Sequence, residues 1–289
     1  MNLQCLLKYT FAQQALAMLK RVGIDLLLYF EFFKFYKMAK QSSIFKLKGT
    51  IDGVTFYKTS KDGHLAKAKG GVPKSRILND PKFARTRENM SEFSNAGKSG
   101  KVLRDSIESI VNEAKDNRMV SRLVKEMVSI GHTDITNPRG QRHATFGQLQ
   151  LLKGFEFNST AKLTSILSTP YKVTMNRVTG LMQIDIPSFV PKDTLKFPQG
   201  AMTFRIVSAA TEVDFIKTAF NSDIKHSVDY FIDNTPTPPF QVGLQLTANS
   251  TLPLFVVLGF QFFNKTNNQF YSLRNGAFNC LAIVDVNQP

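Results

Sequence analysis

From Ile44 onward the chain alternates, with Phe45, Leu47 and Ile51 expected on one side of an extended segment and Lys46 and Lys48 on the other. Asp52-Gly53 separates this run from Val54-Thr55-Phe56-Tyr57-Lys58, and an Asp-Gly pair between alternating runs is a strong hairpin signal. Asp62-Gly63 offers a second turn, a third run spans His64 to Lys69, and Gly70-Gly71-Val72-Pro73 ends the pattern. A small β-meander is the expectation.

The period then changes. Asp80 and Pro81 are placed as N-cap and first residue of a helix. Three apolar stripes follow: Phe83, Met90 and Phe93; Val102, Leu103, Ile107, Ile110 and Val111; Met119, Val120, Leu123, Val124 and Met127. Gly97 and Gly100 are read as the break between the first two helices, Asp116-Asn117 as the start of the third and Gly131 as its end. The stretch around Asn137-Pro138-Arg139-Gly140 reads as a linker.

Beyond Phe155 the chain breaks into short β-type runs at Tyr171–Val178, Leu181–Ile186, Met202–Ala209, Val228–Ile232, Gln241–Thr247, Leu254–Phe263 and Phe278–Val286. Their spacing is that of an antiparallel sandwich. Pro253 to Phe260 is continuously apolar, as a strand covered on both faces would be. The expected fold is therefore α+β: a basic β-meander over 38–76, a helical segment over 77–132, a linker over 133–153 and an immunoglobulin-like β-sandwich over 154–289.

Residues 1–37 stand apart. Val22 to Phe35 is apolar, but Asp25 and Glu31 interrupt it, and it falls short of the about 20 residues that span a bilayer. The polar Ala39-Lys40-Gln41-Ser42 after Met38 reads like a natural beginning, so translation is expected to start at Met38, which favours a cytoplasmic protein. The competing reading is an amphipathic helix on a membrane surface. No integral membrane segment is expected.

Composition sharpens this outline in two respects. The chain has 25 Phe and no Trp in 289 residues, enough apolar surface for one large or two ordinary domains without disulfides. Its formal charge is +15, and residues 38–76 hold nine basic residues against two acidic ones, whereas residues 146–289 hold 11 against nine. Polyanion contact is thus expected at Lys46, Lys48, Lys58, Lys61, Lys67 and Lys69, of which Lys46, Lys48, Lys67 and Lys69 would share one face of the meander. The plain alternative is a solvated sheet face whose lysines block edge-to-edge pairing.

Reactive chemistry finds little support. Ala96-Gly97-Lys98-Ser99-Gly100-Lys101 contains a Gly-Lys-Ser triplet, but Glu92 stands where a phosphate loop needs glycine, so it reads as a corner between helices. His64, His132, His143 and His226 lack companions at metal-ligand spacing, and Cys5 and Cys280 form no motif. Glu212 and Asp214 would lie on one strand face, where solvation is the ordinary outcome and an acid–base pair the special one. No catalytic residue, metal or cofactor is expected.

Lys46-Leu47-Lys48-Gly49-Thr50-Ile51, Asn79-Asp80-Pro81, Phe83-Ala84-Arg85-Thr86-Arg87-Glu88-Asn89, Gly154-Phe155-Glu156-Phe157-Asn158 and Ile186-Pro187-Ser188-Phe189-Val190-Pro191 carry a resemblance. Together they resemble a Bacteroidetes-type bacterial protein family with no assigned activity. The likeness runs from about residue 38 to the C-terminus and implies no catalytic or binding residue. The expected function is a non-enzymatic structural or assembly protein whose partners are other protein subunits. The alternative is a polyanion-binding or nucleic-acid-binding protein that uses the lysine-rich sheet.

Overall fold

Asp52 and Gly53 both adopt positive φ, 42° and 79°, as a two-residue hairpin turn matched to strand twist requires. They join β2 (Gly49–Ile51) to β3 (Val54–Thr59), which pairs in turn with β4 (Gly63–Ala68), and β1 (Met38–Lys40) closes a four-stranded antiparallel sheet of order β1-β4-β3-β2. The computed structural model describes residues 38–266, 269–273 and 277–289. Expectations for residues 1–37 lie outside these. The chain divides into two compact units, one ending at Lys74 and the other spanning Ser75–Pro289.

Within the first unit, the long opening strand expected from Ile44 is only the three residues of β2. Residues 41–48 are irregular, because the Gln41 side chain takes over the hydrogen bonds a ladder would supply: its amide nitrogen donates to Leu65 O at 3.0 Å and its oxygen accepts from Leu47 N at 2.9 Å.

The second unit is mixed α+β with antiparallel sheets. A short helix α1 (Lys74–Asn79) precedes a 3₁₀ turn at Pro81–Phe83, which Asp80 caps by accepting from Lys82 N at 2.9 Å. Helix α2 then runs unbroken from Ala84 to Asp105, so Gly97 and Gly100 do not separate two helices as expected. Gly100 instead faces Leu123 and Met127, where a Cβ would meet Leu123 Cγ at 3.5 Å, and Gly97 faces open space. Helices α3 (Glu108–Ala114) and α4 (Met119–His132) follow, and Asp116 starts α4 by accepting from Arg118 N at 2.7 Å. The stripe of Met90 and Phe93 is exposed rather than buried.

Among the described residues, nine strands of this unit make two sheets. The smaller consists of β5 (Lys172–Asn176), β6 (Leu181–Ile186) and β10 (Phe240–Gln245) in the order β10-β6-β5. The larger has β7 (Thr203–Asp214) and β11 (Leu254–Thr266) at its centre, with β8 (Ala219–His226) and β9 (Tyr230–Phe231) on the outer side of β7 and β12 (Gln269–Ser272) and β13 (Cys280–Asn287) on that of β11. Short helices α5 (Leu163–Ile166) and α6 (Pro191–Thr194) lie among the connections. Strands β8 and β12 have no counterpart among the expected runs.

The central sheet separates two cores. Val207, Ala209, Val213, Phe255, Val257 and Ile283 pack with Leu103, Ile107, Leu123, Met127 and Ile130 of the helices. Phe204, Ile206, Ala210, Val256, Leu258 and Phe260 pack on the other side with Met182, Ile184 and Leu244 of the smaller sheet. The stretch 133–153, expected as a linker, contributes buried Ala144, Leu149 and Leu152 to the first of these cores. Helices and strands therefore do not form separate bodies. Residues Gly154–Phe157 extend the sheet past β13, with Gly154 N donating to Ile283 O at 2.7 Å and Phe157 N to Leu281 O at 2.8 Å.

Candidate functional site

Directly opposed residues share a face of a sheet, so the register assigns the meander's side chains. One face carries Ile51, Val54 and Ala68, then Phe56, Ala66 and Ala39, then Lys58 and His64. The other carries Thr50, Thr55 and Lys67, then Tyr57, Leu65 and Lys40, with the Lys67 ammonium 5.4 Å from the Tyr57 ring centre. The six lysines singled out from the sequence do not gather on one side. Lys58 and Lys67 occupy opposite faces, Lys61 lies in the β3–β4 turn, and Lys69 follows the end of β4. Lys46 and Lys48 lie in the irregular stretch, where Lys46 Nζ donates to Gln41 O at 2.7 Å. The geometric reason is the shortness of β2, which removes Lys46 and Lys48 from the alternation that was to align them.

The same unit buries little. Leu65 is its one buried hydrophobic residue among those described, whereas Ile44 is 94% exposed, Phe45 81% and Ile51 58%.

A second arrangement, with no counterpart in the sequence reading, lies in the larger unit where α4 meets the Gly154–Phe157 segment. A cleft of about 420 Å³ is lined by Arg122, Lys125, Glu126, Leu151, Lys153, Gly154, Phe155, Glu156, Ser159 and Lys162. A second of about 360 Å³ shares Lys153, Gly154, Glu156 and Lys162 with it and continues over Leu163, Thr164, Tyr171, Ala282, Ile283 and Val284. The two clefts are neighbours that share these four residues, and Tyr171 borders the second.

Its charged groups are held in distinct ways. Arg122 donates to Glu156 O at 2.6 Å and Phe157 O at 3.2 Å, pairs with Asp116 at 2.6 Å, and stacks 5.3 Å from the Phe155 ring centre. Burial would raise the Asp116 carboxyl, but hydrogen bonds from Ser159, Arg118 and Arg122 outweigh it and hold the group at about 2. Lys153 pairs with Asp285 at 2.8 Å. Lys125 and Lys162 are exposed and make no ion pair among the described residues.

Glu156 borders both clefts. Both of its carboxylate oxygens accept from Leu163 N at 3.1 Å, and burial raises its pKa against the pull of those amides, Lys162 and Arg122. Burial and the neighbouring Glu156 charge also raise the Tyr171 phenol. The first cleft thus carries the exposed ammonium groups of Lys125 and Lys162 together with the carboxyls of Glu126 and Glu156.

The remaining sequence candidates have structural surroundings. Glu212 is buried and accepts from Asn221 Nδ2 at 2.9 Å and from the Thr247 hydroxyl, while Asp214 caps the β7–β8 turn by accepting from Ile216 N and Lys217 N. His143 Nδ1 meets the Thr145 hydroxyl at 2.9 Å, and burial lowers its pKa. Ser99 of the Gly-Lys-Ser triplet is buried within α2. The Cys280 thiol is buried and shifted far up by that burial. Among the described residues, no group of three or more His, Cys, Asp and Glu could hold a metal, and no helix is long and apolar enough to cross a membrane. Comparison with protein-family models, with curated proteins and with solved structures finds no match for the chain.

Proposed function

We propose that the protein is a non-enzymatic assembly subunit whose N-terminal meander docks on another protein subunit. The observation that carries this reading is a sheet without an interior: Leu65 alone is buried among its described hydrophobic residues, while Ile44, Phe45 and Ile51 are 94%, 81% and 58% exposed. Ordering a residue's backbone costs about 1–2 kcal/mol. Three short strand pairings, two of them hairpins, with so little burial do not offset that, and exposed large apolar side chains are characteristic of contact surfaces. In this reading the larger unit is the rigid body, and its two facing sheets are an immunoglobulin-like sandwich. Support for that comes from the chain crossing between sheets after β6, after β9 and again after β10.

Light scattering and pull-down with the full chain test the proposal. The expected result is an oligomer or a captured subunit that the double variant Phe45→Ser, Ile51→Lys fails to form, with the thermal unfolding of the larger unit unchanged. A monomer at high concentration with no captured subunit sinks it.

A second reading rests on charge. Nine basic residues against two acidic ones over 38–76, with Lys40 and Lys67 beside Tyr57 on one face, favour contact with a polyanion such as nucleic acid. Mobility-shift titration across salt concentrations addresses it, and absence of retention at low salt removes it.

A further inference from the structure

We propose that the free edge of β5 pairs with β5 of a second copy of this chain, joining their two three-stranded sheets into one about a two-fold axis at Thr174. Three observations carry this. First, the smaller sheet has one covered edge and one open edge. Along β10, Asp223 accepts from Gln245 N at 2.8 Å and Lys225 donates to Gly243 O at 2.6 Å, so side chains of β8 occupy that edge. Strand β5 pairs with β6 on one side, and the backbone of residues 172–175 has no other hydrogen-bonding partner among the described residues. Its outward amides and carbonyls are left to water or to another strand.

Second, the core is incompletely closed beside that open edge. Tyr171, Val173 and Met175 pack against the second core yet stay half-buried, whereas Met182 and Ile184 of the neighbouring β6 are fully buried. A strand laid along β5 removes further apolar surface of these three side chains from water. Third, β5 is complementary to its own reverse. In an antiparallel pairing centred on Thr174, that residue faces the partner's Thr174. Val173 then lies opposite the partner's Met175 on the inner face, and Lys172 opposite the partner's Asn176 on the outer face, each pair occurring twice by symmetry. A lysine on an edge strand ordinarily deters pairing, but in this register Lys172 meets an amide and not a second ammonium group. Pro170, which cannot donate to a ladder, stays outside the paired residues.

Cross-linking of the full chain in a Cys5→Ser background tests this, since Cys280 is buried. Thr174→Cys should give a disulfide-linked dimer under mild oxidation, because directly opposed Cα atoms lie about 4.5–5.5 Å apart, within the reach of a disulfide. Lys172→Cys should give none, because its own copy lies four residues further along the paired strand, about 13 Å away. In the unmodified chain, sedimentation velocity should show a monomer–dimer equilibrium. Thr174→Lys should weaken it by about fivefold or more, by setting two ammonium groups face to face, and Asn176→Asp should tighten it by about threefold, by giving each Lys172 a carboxylate. Both positions are exposed, so circular dichroism should show an unchanged fold. Phe45→Ser with Ile51→Lys should leave the Thr174→Cys cross-link intact, which separates this dimer from any contact made by the meander. A chain that is monomeric at every concentration, its edge then left to a foreign strand, overturns the inference. So does equal cross-linking at 172 and 174, indifference to Thr174→Lys, or loss of the cross-link in the meander variant.

Discussion

Asp134 is buried, and its carboxylate oxygens accept from Thr136 N, Thr136 Oγ1, Asn137 N, Asn137 Nδ2 and His143 N at 2.7–3.1 Å. Burial alone would raise its pKa, but these donors outweigh it and hold the group far below the ordinary range. One side chain thereby satisfies the backbone of a stretch that lacks regular structure, which is how residues read as a linker can be packed. Asp116 works similarly at the start of α4. Its pKa falls from 3.8 to about 2, so its stabilising contribution is fully present above pH 3.8 and is lost as pH falls towards 2. Asp116→Asn is expected to cost about 2 kcal/mol at pH 7 and far less near pH 2, measured by urea unfolding at both. Glu156 has the opposite sign. Its folded pKa is raised above 4.5, so its contribution is present below that pH and is lost as pH rises through the folded value. Glu156→Gln should therefore raise the melting temperature at pH 8 and leave it unchanged near pH 4. None of this was legible in the sequence beyond Asp116 as a helix start, because Lys125, Glu156 and Lys162 are far apart in the chain and only the fold brings them to one cleft.

At the scale of elements, the strand signals that succeeded are those with alternation and nearby turn residues. Leu181–Ile186 is a strand over the expected span, and Asp52-Gly53 makes the expected turn. Strand β8 escaped notice because Asn221, Ser222, Asp223, Lys225 and His226 are polar, and it is an edge strand with little to bury. Its polar side chains have a use. Asp223 accepts from Gln245 N at 2.8 Å and Lys225 donates to Gly243 O at 2.6 Å, so β8 occupies backbone groups of β10 across the gap between the sheets. Gly97 and Gly100 misled in the opposite direction, since a glycine within a helix need not end it, and Gly100 serves close packing against Leu123 and Met127. Gly259 of β11 shows the same logic on a strand. A Cβ there would meet Cys280 O at 2.3 Å. Gly259→Ala is expected to destabilise the larger unit by about 1–3 kcal/mol in denaturant titration, the cost of forcing strands apart.

For the whole molecule, the α+β class was legible, whereas the joining of the helices and the central sheet into one body, where separate segments were expected, was not. Periodicity reports which face of an element is apolar, and it does not say that the helices and the central sheet share one core. The boundary at Lys74 follows from burial: the larger unit has two cores of its own, and the meander has a single buried hydrophobic residue among those described. A chain beginning at Ser75 is accordingly expected to keep the melting temperature of the full-length protein to within a few degrees by calorimetry. A large drop would show that the meander stabilises the larger unit. Strand β11 lies between the two cores, with Phe255 and Val257 answering to the helices and Val256 and Leu258 to the smaller sheet. Over that stretch no side chain is expendable: a mutation that moves from one residue to the next only exchanges which half of the protein is injured, so sequence drift has no neutral lane there and should be confined to the chain's rims.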